Sequence, residues 1–174
     1  SKQILSEPAL QVLDPSLLAD AAIWDKLDCS AKNGTEDDYV LYFGARACKH
    51  RPNVLREKAE RFAKIIGGAR VCTIDFDNDS PELFIQKFRR AKAVFTSSFH
   101  GVAFSLVFNR RLFAVKYGDE QDLRYVNLLR LVGGESCLVD STEDKETYKE
   151  VEFSEINENL RKLRTTSINF LKEI

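Results

Sequence analysis

The segment Thr96-Ser97-Ser98-Phe99-His100-Gly101 gathers two adjacent serines, an imidazole and a glycine. It follows the short apolar run Ala93-Val94-Phe95-Thr96 and leads into Phe99 to Phe108, which is apolar almost all round. Where a strand passes straight into a helix, Ser97, Ser98 and the backbone after them fall at the helix's first turn. Unpaired N–H groups and the positive end of the helix dipole make that turn an anion site. His100 sits in the same turn, and an imidazole beside a bound anion can carry the proton for general-acid chemistry near neutral pH. Gly101 leaves the backbone open to close approach. The plainer alternative is a histidine that hydrogen-bonds a neighbouring loop.

Three other segments carry candidate chemistry. Lys116-Tyr117-Gly118-Asp119-Glu120-Gln121-Asp122 leads into a helix with Arg124 in its first turn. A cation there opposes the helix dipole, which suits a side chain serving a ligand; the alternative is a surface pairing with Asp119, Glu120 or Asp122. Gly44-Ala45-Arg46-Ala47-Cys48-Lys49-His50-Arg51 is a basic loop in which Arg46 could receive a phosphate or carboxylate, although no G-x-G-x-x-G dinucleotide fingerprint is present. Asp75-Phe76-Asp77-Asn78-Asp79 spaces its carboxylates like a calcium loop. Ser80 and Gln86, however, stand where that loop needs Gly and Glu, so a turn and helix cap is the better reading.

The surrounding pattern must place these loops at one edge of a sheet. Short apolar runs at Asp38 to Phe43, Arg70 to Asp75, Ala93 to Thr96, Leu112 to Tyr117 and Cys137 to Asp140 read as strands. They alternate with helices expected at Val54 to Ile66, from Pro81 after the Ser80 cap, at Phe99 to Phe108 and at Leu123 to Leu131. A long last helix is expected from a Ser154 cap, with Ile156, Leu160, Leu163, Phe170, Leu171 and Ile174 as its apolar stripe. In the helix after Ser80 the buried stripe is expected to be Leu83, Phe84, Phe88 and Ala91. Strands alternating with helices imply right-handed crossovers and a doubly wound, Rossmann-like parallel α/β sheet. Residues 1–37 read as an irregular lead-in and linker packing on the domain, and residues 38–174 as the α/β domain with its long C-terminal helix. Such folds bind ligands beyond the carboxyl ends of the strands, at the topological switch point.

Bulk properties narrow the function classes. The chain has 174 residues, 26 Lys+Arg against 27 Asp+Glu and a formal charge of -1, so no basic excess draws it to nucleic acid or anionic membrane. No apolar run reaches the roughly 20 residues of a membrane span, and no signal peptide is visible at the amino end. Cys29, Cys48, Cys72 and Cys137 lack metal-ligand spacing and read as reduced thiols; no metal and no cofactor is expected. The absence of Met suggests a piece of a longer protein.

Taken in order, Asp14-Pro15-Ser16-Leu17-Leu18, the element Ala93 to Gly101, Phe104-Ser105-Leu106-Val107-Phe108-Asn109 and the helix Arg124 to Leu129 resemble the carboxyl-terminal half of the polysaccharide pyruvyl transferase family. The resemblance runs from about Asp14 to Leu131. It implies one half of a GT-B-like enzyme of two Rossmann-like domains, inactive without its amino-terminal half. It also implies a cytoplasmic reaction in which pyruvyl passes from phosphoenolpyruvate to a glycan sugar as a ketal, in exopolysaccharide biosynthesis. By that resemblance His100 is the catalytic acid, Ser97, Ser98 and Gly101 hold an anionic group, and Arg124 binds a donor charge. The Arg46 loop matches no family motif. Two other readings stand beside this one: half of a nucleotide-sugar glycosyltransferase of the same architecture, and a non-catalytic α/β binding module.

Overall fold

The apolar runs that read as strands are four to six residues long at the centre of the sheet and buried on both faces, as parallel strands must be when crossovers lay helices against them. The computed structural model of the chain describes residues 12–27, 39–44, 47–143 and 148–173. Two short helices, α1 (Pro15–Leu18) and α2 (Ala21–Trp24), precede β1 (Tyr39–Phe43), α3 (Val54–Ile65), β2 (Arg70–Thr73) and α4 (Pro81–Arg90). Then follow β3 (Ala93–Thr96), α5 (Phe99–Val107), β4 (Arg111–Lys116), α6 (Leu123–Val132), β5 (Leu138–Asp140) and α7 (Phe153–Glu173). All five strands are parallel, in the order β2-β1-β3-β4-β5. The result is the Rossmann-like α/β architecture expected from the sequence.

Strand alternation divides the core in two. Val40, Phe95, Phe113 and Val115 point to the face covered by α3, where they meet Leu55, Ala59 and Phe62. Leu41, Phe43, Val94, Leu112 and Ala114 point to the opposite face, under α4, α5 and α6. The rings of Phe43, Phe84, Phe88 and Phe104 pack together there, edge to face or tilted, at centroid separations of 5.1–5.8 Å. Such pairs add about 0.5–1.5 kcal/mol each beyond their burial.

Several local expectations are corrected. The lead-in is not wholly irregular: Asp14 caps α1 through the Ser16 N–H, Pro15 occupies its first turn, and Asp20 caps α2 through the Ile23 N–H. On α4 Leu83 is 38% exposed and Ile85 is buried instead, because the sheet-facing arc runs through Ile85 and Phe88. The last helix starts at Phe153, whose ring packs on the core, so Ser154 lies exposed inside the first turn rather than at the cap. Its buried residues are Ile156, Leu160 and Ser167, while Leu171 is exposed. Ile174, the Asp28 to Asp38 loop and Arg46 lie outside the described residues.

Candidate functional site at the switch point

The strand order reverses between β1 and β3, whose carboxyl ends meet at the pair Phe43 and Thr96. Thr96 Oγ1 donates to the Phe43 carbonyl at 2.6 Å and accepts from the Ser98 N–H at 3.1 Å, while the Ser97 N–H donates to Phe43 at 3.3 Å. One buried threonine hydroxyl thus fixes the turn that carries the two serines from strand to helix. Ser98 is the residue before α5, yet its hydroxyl makes no capping bond. The first bond of the helix runs from Val102 N–H to Ser98 C=O, which leaves the N–H groups of Phe99, His100 and Gly101 without an intrahelical acceptor.

Ser97 is 5% exposed, and its Oγ is buried with no hydrogen-bond partner among the described residues. Burying an unpaired hydroxyl costs about 1–3 kcal/mol, a cost that a ligand entering the adjacent cleft could relieve. Ser97 lines a cleft of about 520 Å³ together with Ser98, Phe99, exposed His100, Glu120, Gln121 and Arg124. The structure therefore brings Ser97, Ser98, His100 and Arg124 together.

Gly101 stands apart from them. It is buried, and a Cβ at this position would overlap Thr96 Oγ1 and reach 3.0 Å from a ring carbon of Phe43. Its side-chain face is turned to the strand ends, so the close approach it permits is of α5 onto β1 and β3.

Arg124 is exposed, and its guanidinium carbon lies 4.7 Å from the centre of the Phe99 ring. Among the described residues it forms no ion pair, so the surface pairing with Asp119, Glu120 or Asp122 is absent. Asp122 is otherwise engaged. Its Oδ2 accepts from the N–H groups of Tyr117 and Gly118, both at 2.7 Å, and its Oδ1 lies 2.5 Å from the Tyr125 hydroxyl. Gly118 takes φ 81°, the left-handed conformation that lets both N–H groups turn to one carboxylate. This clamp sets the entry of α6 and hence the place of Arg124. Sequence reasoning missed it; the available signal was an acid one residue before a helix and three before a tyrosine.

A second missed residue is Asp14. Its Oδ1 accepts from the Ser16 N–H at 3.0 Å and from Ser16 Oγ at 2.7 Å. Burial alone would raise its carboxyl, but the Ser16 bonds and the charges of His100 and Arg124 outweigh it and hold the group below the usual carboxylate range. The start of the chain's first described helix is thus electrostatically joined to the cleft.

Of the remaining candidates, Arg46 lies outside the described residues, and Arg51 and the Asp75 loop make bonds within the protein. Arg51, next to the exposed Lys49 and His50, donates to the Ser141 carbonyl at 3.0 Å and pairs with Glu57 at 2.9 Å. Asp75 accepts from Asp77 N–H and Asn78 Nδ2, and Asp79 accepts from Asp75 N–H and pairs with Lys87 at 2.5 Å. That is the turn and cap favoured above. No group of three or more His, Cys, Asp or Glu side chains among the described residues could hold a metal ion. None of the described helices is long and apolar enough to cross a membrane.

A five-stranded parallel α/β sheet with an uncapped helix start at its switch point, beside a cleft that His100 and Arg124 line, defines a Rossmann-like domain. The model of the family described as polysaccharide pyruvyl transferase matches residues 1–119, and the chain belongs to that family, which is one of transferases. No curated protein and no solved structure is significantly similar to it.

Proposed function

We propose that the chain is the donor-binding side of a pyruvyl transferase that moves pyruvyl from phosphoenolpyruvate to two hydroxyls of a glycan sugar. Residues 38–174 form that donor half, residues 1–37 link it to an amino-terminal half, and the reaction takes place in the cytoplasm. The observation that carries the reading is the orphaned Ser97 hydroxyl at the start of α5, in the cleft that His100 and Arg124 also line. The donor has two anionic groups. Its phosphate suits the N–H groups of the first turn with Ser97 and Ser98; its carboxylate suits a guanidinium, which can bind it in two parallel hydrogen bonds.

In the balanced reaction, a proton adds to C3 of the donor, making it a methyl group, while the first sugar hydroxyl bonds to C2. The C2–O bond to phosphate then breaks with its electron pair going to phosphate, and the second hydroxyl closes the ketal at C2. Of the two hydroxyl protons released, one replaces the proton spent on C3 and one leaves with phosphate. His100 is the acid in this scheme, exposed to the cleft where C3 or the leaving phosphate would lie.

Titration calorimetry with phosphoenolpyruvate tests the assignment. His100→Ala and Arg124→Ala are each expected to weaken binding about tenfold, about 1.4 kcal/mol. Unchanged affinity in both variants would remove these residues from the donor site, and a thermal shift with UDP but none with phosphoenolpyruvate would point to a nucleotide-sugar donor instead.

A further inference from the structure

A second hollow, of about 540 Å³, lies between α1 and α6 and adjoins the switch-point cleft, since Phe99 and Arg124 border both. Its volume is in the range of small-molecule sites. Most of its wall is apolar. Leu123 and Leu131, at 53% and 47% exposed, stand on one face of α6 with Asn127 between them at four-residue spacing. Asp14 and Pro15 form the opposite wall.

Two polar groups in this groove have unused capacity. Both hydrogen bonds to Asp14 end on Oδ1, so Oδ2 is without a donor among the described residues. Asn127 is exposed, and its amide has no hydrogen bond among the described residues. An ionised carboxylate can only accept, an amide both donates and accepts, and apolar surface flanks the two.

We propose that this groove seats the sugar ring of the acceptor, with Asp14 and Asn127 binding its hydroxyls and the leucines covering its C–H face; the word acceptor rests on the donor reading above. Charge excludes the obvious rivals. A second anion would meet the Asp14 carboxylate, which burial would raise but which its Ser16 hydrogen bonds, helped by His100 and Arg124, hold below the usual carboxylate range. A purely apolar segment would bury that carboxylate with Oδ2 unpaired, a penalty several times that of an unpaired neutral group. A cationic ligand would meet Arg124 at the groove's mouth. A neutral polyol satisfies Oδ2 and the amide together and lies against the leucines. Placement follows as well, because a ring held here presents its hydroxyls toward Arg124 and Phe99, where the donor's carboxylate end is expected.

Nuclear magnetic resonance of the isotope-labelled full chain, titrated separately with methyl glucopyranoside, methyl galactopyranoside and phosphoenolpyruvate, tests the groove. At least one glycoside is expected to shift the amides of Asp14, Asn127 and Leu131. Asn127→Ala, on an exposed helix face, and Asp14→Asn, which keeps an acceptor for the α1 cap, are each expected to weaken that binding about fivefold or more. No glycoside shift, shifts that neither variant weakens, or groove shifts that follow protein concentration as in self-association would each overturn the proposal. Phosphoenolpyruvate shifts at Ser97 to His100 without any glycoside response would sink the groove alone. Glycoside shifts without a phosphoenolpyruvate response would sink the donor assignment and leave the groove as a glycan site.

Discussion

Arg124 is held over the ring of Phe99, with 4.7 Å between guanidinium carbon and ring centre, and not by any carboxylate among the described residues. A salt bridge would spend the charge inside the protein. Stacking on an aromatic face orients the guanidinium while leaving its N–H donors free for a ligand. Phe99→Ala should therefore lower phosphoenolpyruvate affinity about threefold, the worth of an exposed cation–π contact of about 0.5–1 kcal/mol, while Phe99→Trp should preserve it. Equal affinities for the two variants, measured by calorimetry, would show that the stacking does not set the position of Arg124.

Asp122 is the buried acid that holds the β4–α6 connection, accepting from two backbone N–H groups and sitting against the Tyr125 hydroxyl. Asp122→Ala leaves those donors without their charged acceptor and should cost about 3 kcal/mol in urea unfolding. Because the same carboxylate fixes the start of α6, donor binding should fall with it. Tyr125→Phe should cost less, about 1 kcal/mol, since it removes the hydroxyl's bond to the Val115 carbonyl and its contact with Asp122 but leaves the two backbone bonds to Asp122.

Gly101 supports a packing prediction. Gly101→Ala drives a methyl group into Thr96 Oγ1 and against Phe43 at the joint of β1, β3 and α5. The expected loss is about 3 kcal/mol, at the upper end for overpacking. Thr96→Ala in the same chain should recover only part of it, because Thr96 Cβ would still lie 2.8 Å from the new methyl and the Ser98 N–H would lose its acceptor. Unchanged stability on urea titration of Gly101→Ala would contradict this account of the glycine.

The thiols offer a chemical readout. Burial pushes the Cys137 thiol up to about 12, whereas Cys72 is partly exposed on β2. Since only the thiolate reacts, peptide mapping after brief alkylation at mildly alkaline pH should find Cys72 modified and Cys137 intact until the protein is unfolded. Equal rates at the two sites would be the contrary result.

What could be read beforehand divides along physical lines. The strand β3 and the helix α5 were legible nearly to the residue, because a buried parallel strand is continuously apolar and a polar Ser-Ser pair marks where it ends. The stripe of α4 was not, because Leu83 and Ile85 have similar hydrophobicity and only the angle at which the helix meets the sheet selects between them. Ser154 has the right chemistry for a cap, but packing of Phe153 on the core draws the helix start two residues further back. Within the site, Ser97, Ser98, His100 and Arg124 were visible by type and position. The pairing of Asp122 with backbone N–H groups, and the approach of Asp14 from a hundred residues away, depend on tertiary contacts that no local spacing encodes. Gly101 was expected to let a ligand approach the backbone, whereas the group found against its side-chain face is the protein's own threonine.

The long helix α7 reaches back to the first described helix: Ser167 Oγ accepts from the Leu13 N–H at 3.0 Å, and Arg164 donates to the Leu17 carbonyl at 2.6 Å. These contacts close a loop of some 150 residues. Closing so long a loop is costly in chain entropy, which places the docking of α1 late among folding events. The helix that carries Asp14 is therefore held from two sides, by α5 at the cleft and by α7 at the far end of the chain. Shortening α7 before Arg164 should leave the sheet intact and set α1 loose, so hydrogen exchange would rise at residues 13–18 while β1 and β3 stay protected.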